Sequence, residues 1–186
     1  MSRKFRKKPP LKPKPVSNMG KPLVAFVMGS KSDLPVAQSA MNVLEDFGVP
    51  YTTRIISAHR TPKEAADFAA GAESAGIKVI ICAAGMAAHL GGVIAAYTTL
   101  PVVALPLASE PFNGLDSLLA MVQMPPGIPV ATVTVGKAGG KNAALYAISI
   151  LALANPELNE RLKAFRTAQS AAVLAADAEL QKELAK

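Results

Sequence analysis

The 186-residue chain contains one cysteine, no tryptophan and two histidines. One cysteine cannot close an internal disulfide or supply a multi-thiolate metal site. No run reaches the roughly 18 consecutive apolar residues of a membrane span, although mean hydropathy is +0.29. No apolar stretch of the kind found in secretory signals accompanies the basic N-terminus. Acidic residues are absent from the first 21 positions, which hold eight basic ones. With a total formal charge of +7, the rest of the chain therefore carries −1. The basicity belongs to a tail, so we expect neither a specific nucleic-acid partner nor a membrane. Pro9, Pro10, Pro13, Pro15 and Pro22 interrupt any helix there, and few apolar residues are present to offset the entropy of ordering it. Residues 1–22 are accordingly expected to form a disordered basic arm.

What is present is an alternation of two patterns. Residues 23–28 are wholly apolar and stop at Gly29-Ser30-Lys31-Ser32-Asp33, as in a strand buried on both faces. Val36, Ala40, Val43, Leu44 and Phe47 then recur at helical spacing, and Gly48 supplies a stop. A second strand over 51–56 leads into Ser57-Ala58-His59-Arg60-Thr61-Pro62. Pro62 suits the first turn of a helix with Thr61 as N-cap. Strands follow at 77–82, 101–105 and 130–135. Helices are expected from near 88, through Leu115, Leu118, Leu119 and Val122, and from 142 to about 154, the last preceded by a Gly-rich loop. Alternating strands and helices predict an α/β fold with a doubly wound, five-stranded parallel sheet. Residues 23–155 form the expected α/β domain. Residues 156–186 form a helical extension, with Leu158, Leu162 and Phe165 on one stripe, packing on the body or on a neighbouring subunit.

In such sheets ligands bind beyond the carboxyl ends of the strands, and the unusual polar residues gather there. Ser30, Ser32 and Asp33 follow the first strand; Ser57, His59 and Arg60 follow the second; Gly85 and His89 follow the third. Hydroxyls, an arginine and backbone amides suit a phosphate, and Asp33 can accept hydrogen bonds from ribose hydroxyls. Both histidines fall on this one edge, where a group titrating near neutrality serves acid–base chemistry. Each also has a plainer structural reading, as do Arg60 paired to a helix and Asp33 capping one. Cys82 lies inside an apolar strand and reads as a buried structural thiol. No Gly-x-Gly-x-x-Gly follows a strand, and the run from Gly136 to Lys141 lacks P-loop order.

The loops, taken in order, resemble a known set. Gly29-Ser30-Lys31-Ser32-Asp33, Ser57-Ala58-His59-Arg60-Thr61-Pro62, Ala87-Ala88-His89-Leu90, Gly114-Leu115-Asp116-Ser117-Leu118, Val122-Gln123-Met124-Pro125, Gly127-Ile128-Pro129-Val130-Ala131-Thr132 and Asn142-Ala143-Ala144-Leu145 occur across residues 23–170. They resemble the class I PurE family of 5-(carboxyamino)imidazole ribonucleotide mutases. The resemblance implies a flavodoxin-like three-layer fold and a cytoplasmic homo-octamer, functionally coupled to the ATP-dependent synthetase that makes its substrate. It also implies an isomerase of purine biosynthesis that uses no cofactor or metal. The carboxylate shifts from the exocyclic amine to ring carbon C4 by release and recapture of CO2. His59 would be the general acid–base. Ser30, Ser32 and Arg60 would hold the phosphate and Asp33 the ribose, with Ser57 also substrate-binding and Gly85 and His89 in the loop over the base and CO2. The family usually has Gly-Gly at Gly85-Met86, and His-Leu-Pro-Gly at His89-Leu90-Gly91-Gly92. Met86 places a side chain beside the expected CO2 pocket, and Gly91 is expected to loosen a turn. Direct carboxylation of aminoimidazole ribonucleotide, or nucleotide binding without catalysis, are the alternatives.

Overall fold

In the computed structural model, residues 20–185 are described. Most of the expected basic arm therefore lies outside the described residues. Five strands form one parallel sheet in the order β2-β1-β3-β4-β5: β1 (Val24–Met28), β2 (Tyr51–Ile55), β3 (Val79–Ala84), β4 (Val102–Pro106) and β5 (Ala131–Thr132). The fold class is the α/β arrangement expected. The three inner strands are buried along their whole length, which is why they read as unbroken apolar runs.

Period-two alternation divides the core into two clusters. Val24, Phe26 and Met28 of β1, with Val79, Ile81 and Ala83 of β3, face α1 (Leu34–Asp46) and α5 (Gly136–Ala152). Ala25 and Val27, with Ile80 and Cys82, face α2 (Pro62–Gly71), α3 (Leu90–Ala95) and Met121 of α4 (Leu115–Val122). Each large aliphatic or aromatic side chain so buried contributes about 1.5–3 kcal/mol of transfer free energy.

Several boundaries move. β3 begins at Val79 rather than 77, because Ile77 closes the loop after α2 through its N–H to Ala72 O. It ends later because Ala83 pairs with Met28 and Ala84 with Pro106; burial outweighs alanine's weak strand preference. β5 shrinks to two residues at the sheet edge. The Gly-rich segment expected as a loop is the start of α5 itself. A Cβ on Gly139 would overlap the Thr134 carbonyl oxygen, and one on Gly140 would overlap the Ser39 hydroxyl. Here glycine permits close approach of a helix to β4 and α1 rather than marking a turn. Gly91 likewise sits in the first turn of α3, packed toward Ala104 and Cys82, and not in a loop.

After Asn155, whose side chain caps Leu158 N at 3.1 Å, a single helix α6 runs over Pro156–Leu184. Leu158 and Leu162 are buried in the body, and the Phe165 ring meets Phe47 edge-on at 5.6 Å. From residue 166 to 185 every residue is exposed.

Candidate active site

The strand order reverses direction between β1 and β3, so the loops after these strands splay apart and leave a crevice. A cavity of about 610 Å³ opens there, lined from the ends of β1, β2, β3 and β4. Ser30, Ser32, Asp33, Ser57, His59, Arg60 and Gly85 all line it.

After β1 the chain turns through a short 3-10 segment, Lys31–Asp33, held by a reciprocal cap. Asp33 Oδ2 accepts from Ser30 N at 2.9 Å, and Ser30 Oγ accepts from Ser32 N at 3.3 Å. Asp33 precedes α1 but makes no side-chain cap on it; its carboxylate instead shapes the cavity loop. The Ser32 hydroxyl lies 2.9 Å from Ser30 Oγ and 3.3 Å from Asp33 Oδ1. Two hydroxyls and a carboxylate thereby share one small turn.

After β2, Thr61 occupies the N-cap position of α2 without capping it. Its hydroxyl accepts from Ser57 N at 2.9 Å and donates to Ser57 O at 3.0 Å, closing the loop on itself. The closed loop holds Arg60 across the crevice, where Nη2 donates to Gly29 O at 2.8 Å and Nε to Ser57 Oγ at 3.4 Å. Among the described residues no carboxylate forms an ion pair with Arg60. Its charge is thus available to an anion, and bidentate donors suit phosphate.

His59 and His89, thirty residues apart, meet at 2.9 Å between Nε2 and Nδ1, with rings nearly perpendicular. Such a contact needs one nitrogen as donor and the other as acceptor. His59 lines the cavity, whereas His89, the residue before α3, is exposed and is not among the lining residues. Among the described residues no three His, Cys, Asp or Glu side chains gather as a metal site. Cys82 is fully buried, and burial pushes its thiol pKa up, away from the reactive thiolate.

Met86, in the loop after β3, lines the cavity with 60% of its surface exposed and a backbone φ of +55°. The side chain therefore sits on a left-handed residue that glycine would occupy without strain. The fourth wall comes from Leu107, Ala108 and Ser109 after β4. This wall was not legible in the sequence, because the loop carries no motif before Asn113-Gly114; its position after a strand was the one available signal.

The family model described as AIR carboxylase matches residues 23–172. The chain belongs to the AIR carboxylase family. Within reach of the family's curated members, it is 57% identical over 148 residues to the N5-carboxyaminoimidazole ribonucleotide mutase of Pyrococcus abyssi, covering 80% of this chain and 84% of that protein. It is 49% identical over 151 residues to the enzyme of the same name from Vibrio cholerae, covering 81% and 94%. The crystal structure of Treponema denticola PurE superposes with a TM-score of 0.78 at 31% identity, over 86% of this chain and 98% of that one. The AIR carboxylase match includes every cavity-lining loop and ends within the exposed part of α6.

Proposed function

We propose that the chain is an N5-carboxyaminoimidazole ribonucleotide mutase, an isomerase of purine biosynthesis. The observation that carries this reading is a relative of that name, 57% identical across 84% of its own length. The cavity supplies matching chemistry. Arg60 and the hydroxyls of Ser30, Ser32 and Ser57 bind the phosphate, and Asp33 accepts from the ribose. The carbamate C–N bond breaks, its electron pair returning to nitrogen, which takes up a proton. Ring carbon C4 then attacks the retained CO2, and the C4 proton leaves as the C–C bond forms. Every electron pair needed resides on the substrate, so the protein's task is to move one proton and exclude water. His59, at the cavity wall, carries that proton, and His89 orients the ring and fixes its tautomer through the 2.9 Å contact.

The enzyme acts in the cytoplasm as a homo-octamer and receives its unstable substrate from the ATP-dependent synthetase that makes it. Support for assembly lies in exposed apolar side chains: Leu115, Leu119 and Val122 on α4, and Val173, Leu174, Leu180 and Leu184 on α6. Among the described residues no helix is long and apolar enough to cross a membrane.

The test supplies 5-(carboxyamino)imidazole ribonucleotide and follows the C4-carboxylated product. The unaltered chain is expected to turn over, and His59→Asn to lose at least about 100-fold, the scale of a general acid–base. Intact turnover in that variant would overturn the mechanism. A second reading, direct carboxylation of aminoimidazole ribonucleotide, is favoured by the description of the matching family model; strict dependence on added CO2 would select it. Tight ribonucleotide binding with neither reaction would mark a binding module.

A further inference from the structure

The β1 and β2 sides of the cavity are rich in polar groups; the β3 and β4 sides are not. There the lining is alanine, glycine, leucine and Met86, with one polar side chain, Ser109. Ser109 lies against Gly85: a Cβ built on that glycine would stand 3.6 Å from Ser109 Oγ. The Ser109 hydroxyl is buried and has no hydrogen-bond partner among the described residues. Among the described residues Asp116 Oδ1 and Thr132 Oγ1 share that condition, but neither residue lines the cavity. A buried hydroxyl without a partner is costly to keep. At the wall of a ligand cavity it is one of the few convergent polar groups that fix a ligand's orientation.

We propose that Ser109 is a substrate-binding residue whose Oγ–H donates a hydrogen bond to the migrating carboxyl group. The proposal rests on the mutase reading. With phosphate and ribose held on the β1 and β2 sides, the base and its carboxyl group extend toward β3 and β4. An anionic carboxylate entering that apolar wall needs a donor, and Ser109 is the side chain placed to be one. A contact to the carboxylate also holds the group over the ring through release and recapture, so that CO2 does not escape. Gly85 contributes by leaving the approach to Ser109 unfilled.

The experiment compares Ser109→Ala with the unaltered full chain. Affinities are measured for the C4-carboxylated ribonucleotide and for aminoimidazole ribonucleotide, which lacks the carboxyl group. Ser109→Ala is expected to weaken the carboxylated ligand by roughly 10- to 100-fold, as for a hydrogen bond to a charged group, and to leave the other ligand unchanged. kcat/KM falls in parallel, and more of the decarboxylated nucleotide leaks per turnover. Melting temperature stays within a degree or two, since no protein partner is lost. Ser109→Cys, close in volume with a weaker donor, is expected to fall between. Equal affinities in variant and unaltered chain, or equal weakening of both ligands, would overturn the assignment alone. Absence of turnover and of ribonucleotide binding in the unaltered chain would overturn the mutase reading and this assignment with it.

Discussion

Met86 carries a testable strain. A non-glycine residue at φ +55° costs about 1–2 kcal/mol relative to a right-handed or extended one, while glycine pays more in unfolded-chain entropy. Met86→Gly is therefore expected to stabilise the protein by about 0.5–1 kcal/mol, or roughly 1–4 °C in Tm; a lower melting temperature would show that the side chain holds itself in place by packing. Tyr51 gives a second test. Its hydroxyl donates to Glu45 Oε1 at 2.6 Å, tying the start of β2 to α1. Burial first, then Glu45, raises its pKa above the ordinary tyrosine value. The folded state thus favours the protonated phenol, so its contribution is complete below about pH 10, the ordinary tyrosine pKa, and is lost as pH climbs beyond. Tyr51→Phe is expected to cost about 1 kcal/mol at neutral pH. Denaturant titrations should show that deficit narrowing above pH 10, and a constant deficit would refute the linkage.

At the scale of elements, α5 sets helix propensity against packing. Alanine favours a helix over glycine by about 1 kcal/mol, so Gly140→Ala should stabilise an isolated α5. In the folded chain the added methyl meets the Ser39 hydroxyl and stands 2.8 Å from Val36 O. Overpacking of this kind costs about 1–3 kcal/mol or more, so the variant is expected to melt lower, with α1 and α5 forced apart. An unchanged or higher Tm would show that the two helices slide freely. The same competition explains why the run from Gly136 to Lys141 reads as a loop in the sequence. Glycines punctuate locally, and only the nearness of Ser39 and Thr134 reveals that they are there to be small. Thr61 was legible as the residue before a helix but not as the clasp of its own loop, since that depends on Ser57 lying back beside it.

At the scale of the whole molecule, the last twenty described residues of the chain, 166–185, are all exposed, and α6 runs through them to Leu184. A 29-residue helix with Val173, Leu174, Leu180 and Leu184 exposed is more apolar along one arm than a solitary helix requires. The chain is expected to elute and scatter light as an oligomer, and removal of residues 167–186 to lower its mass while leaving helical content per body largely intact. A monomer in the unaltered chain would refute the octamer. The basic arm is expected to stand apart from catalysis: deleting residues 1–21, which precede the family match, should leave kcat/KM within about twofold, where 1.4 kcal/mol would already be tenfold. A large loss would mean that the arm completes the site.

The amino-acid pattern alone determined which segments become inner strands and which edge carries the chemistry. Burial on both faces demands unbroken apolar runs, and a parallel sheet sends every strand-end loop to one side. Ser30, Asp33, Ser57, His59 and Arg60 could therefore be placed on that edge without coordinates. Tertiary structure alone decided what these loops do to one another. It brought His59 to His89, set Arg60 across to Gly29, held Met86 left-handed, and left the Ser109 hydroxyl unpartnered beside Gly85. These are contacts between segments distant in the chain or choices of backbone angle. They depend on the directions in which strands end, and periodicity, which is local, carries no record of direction.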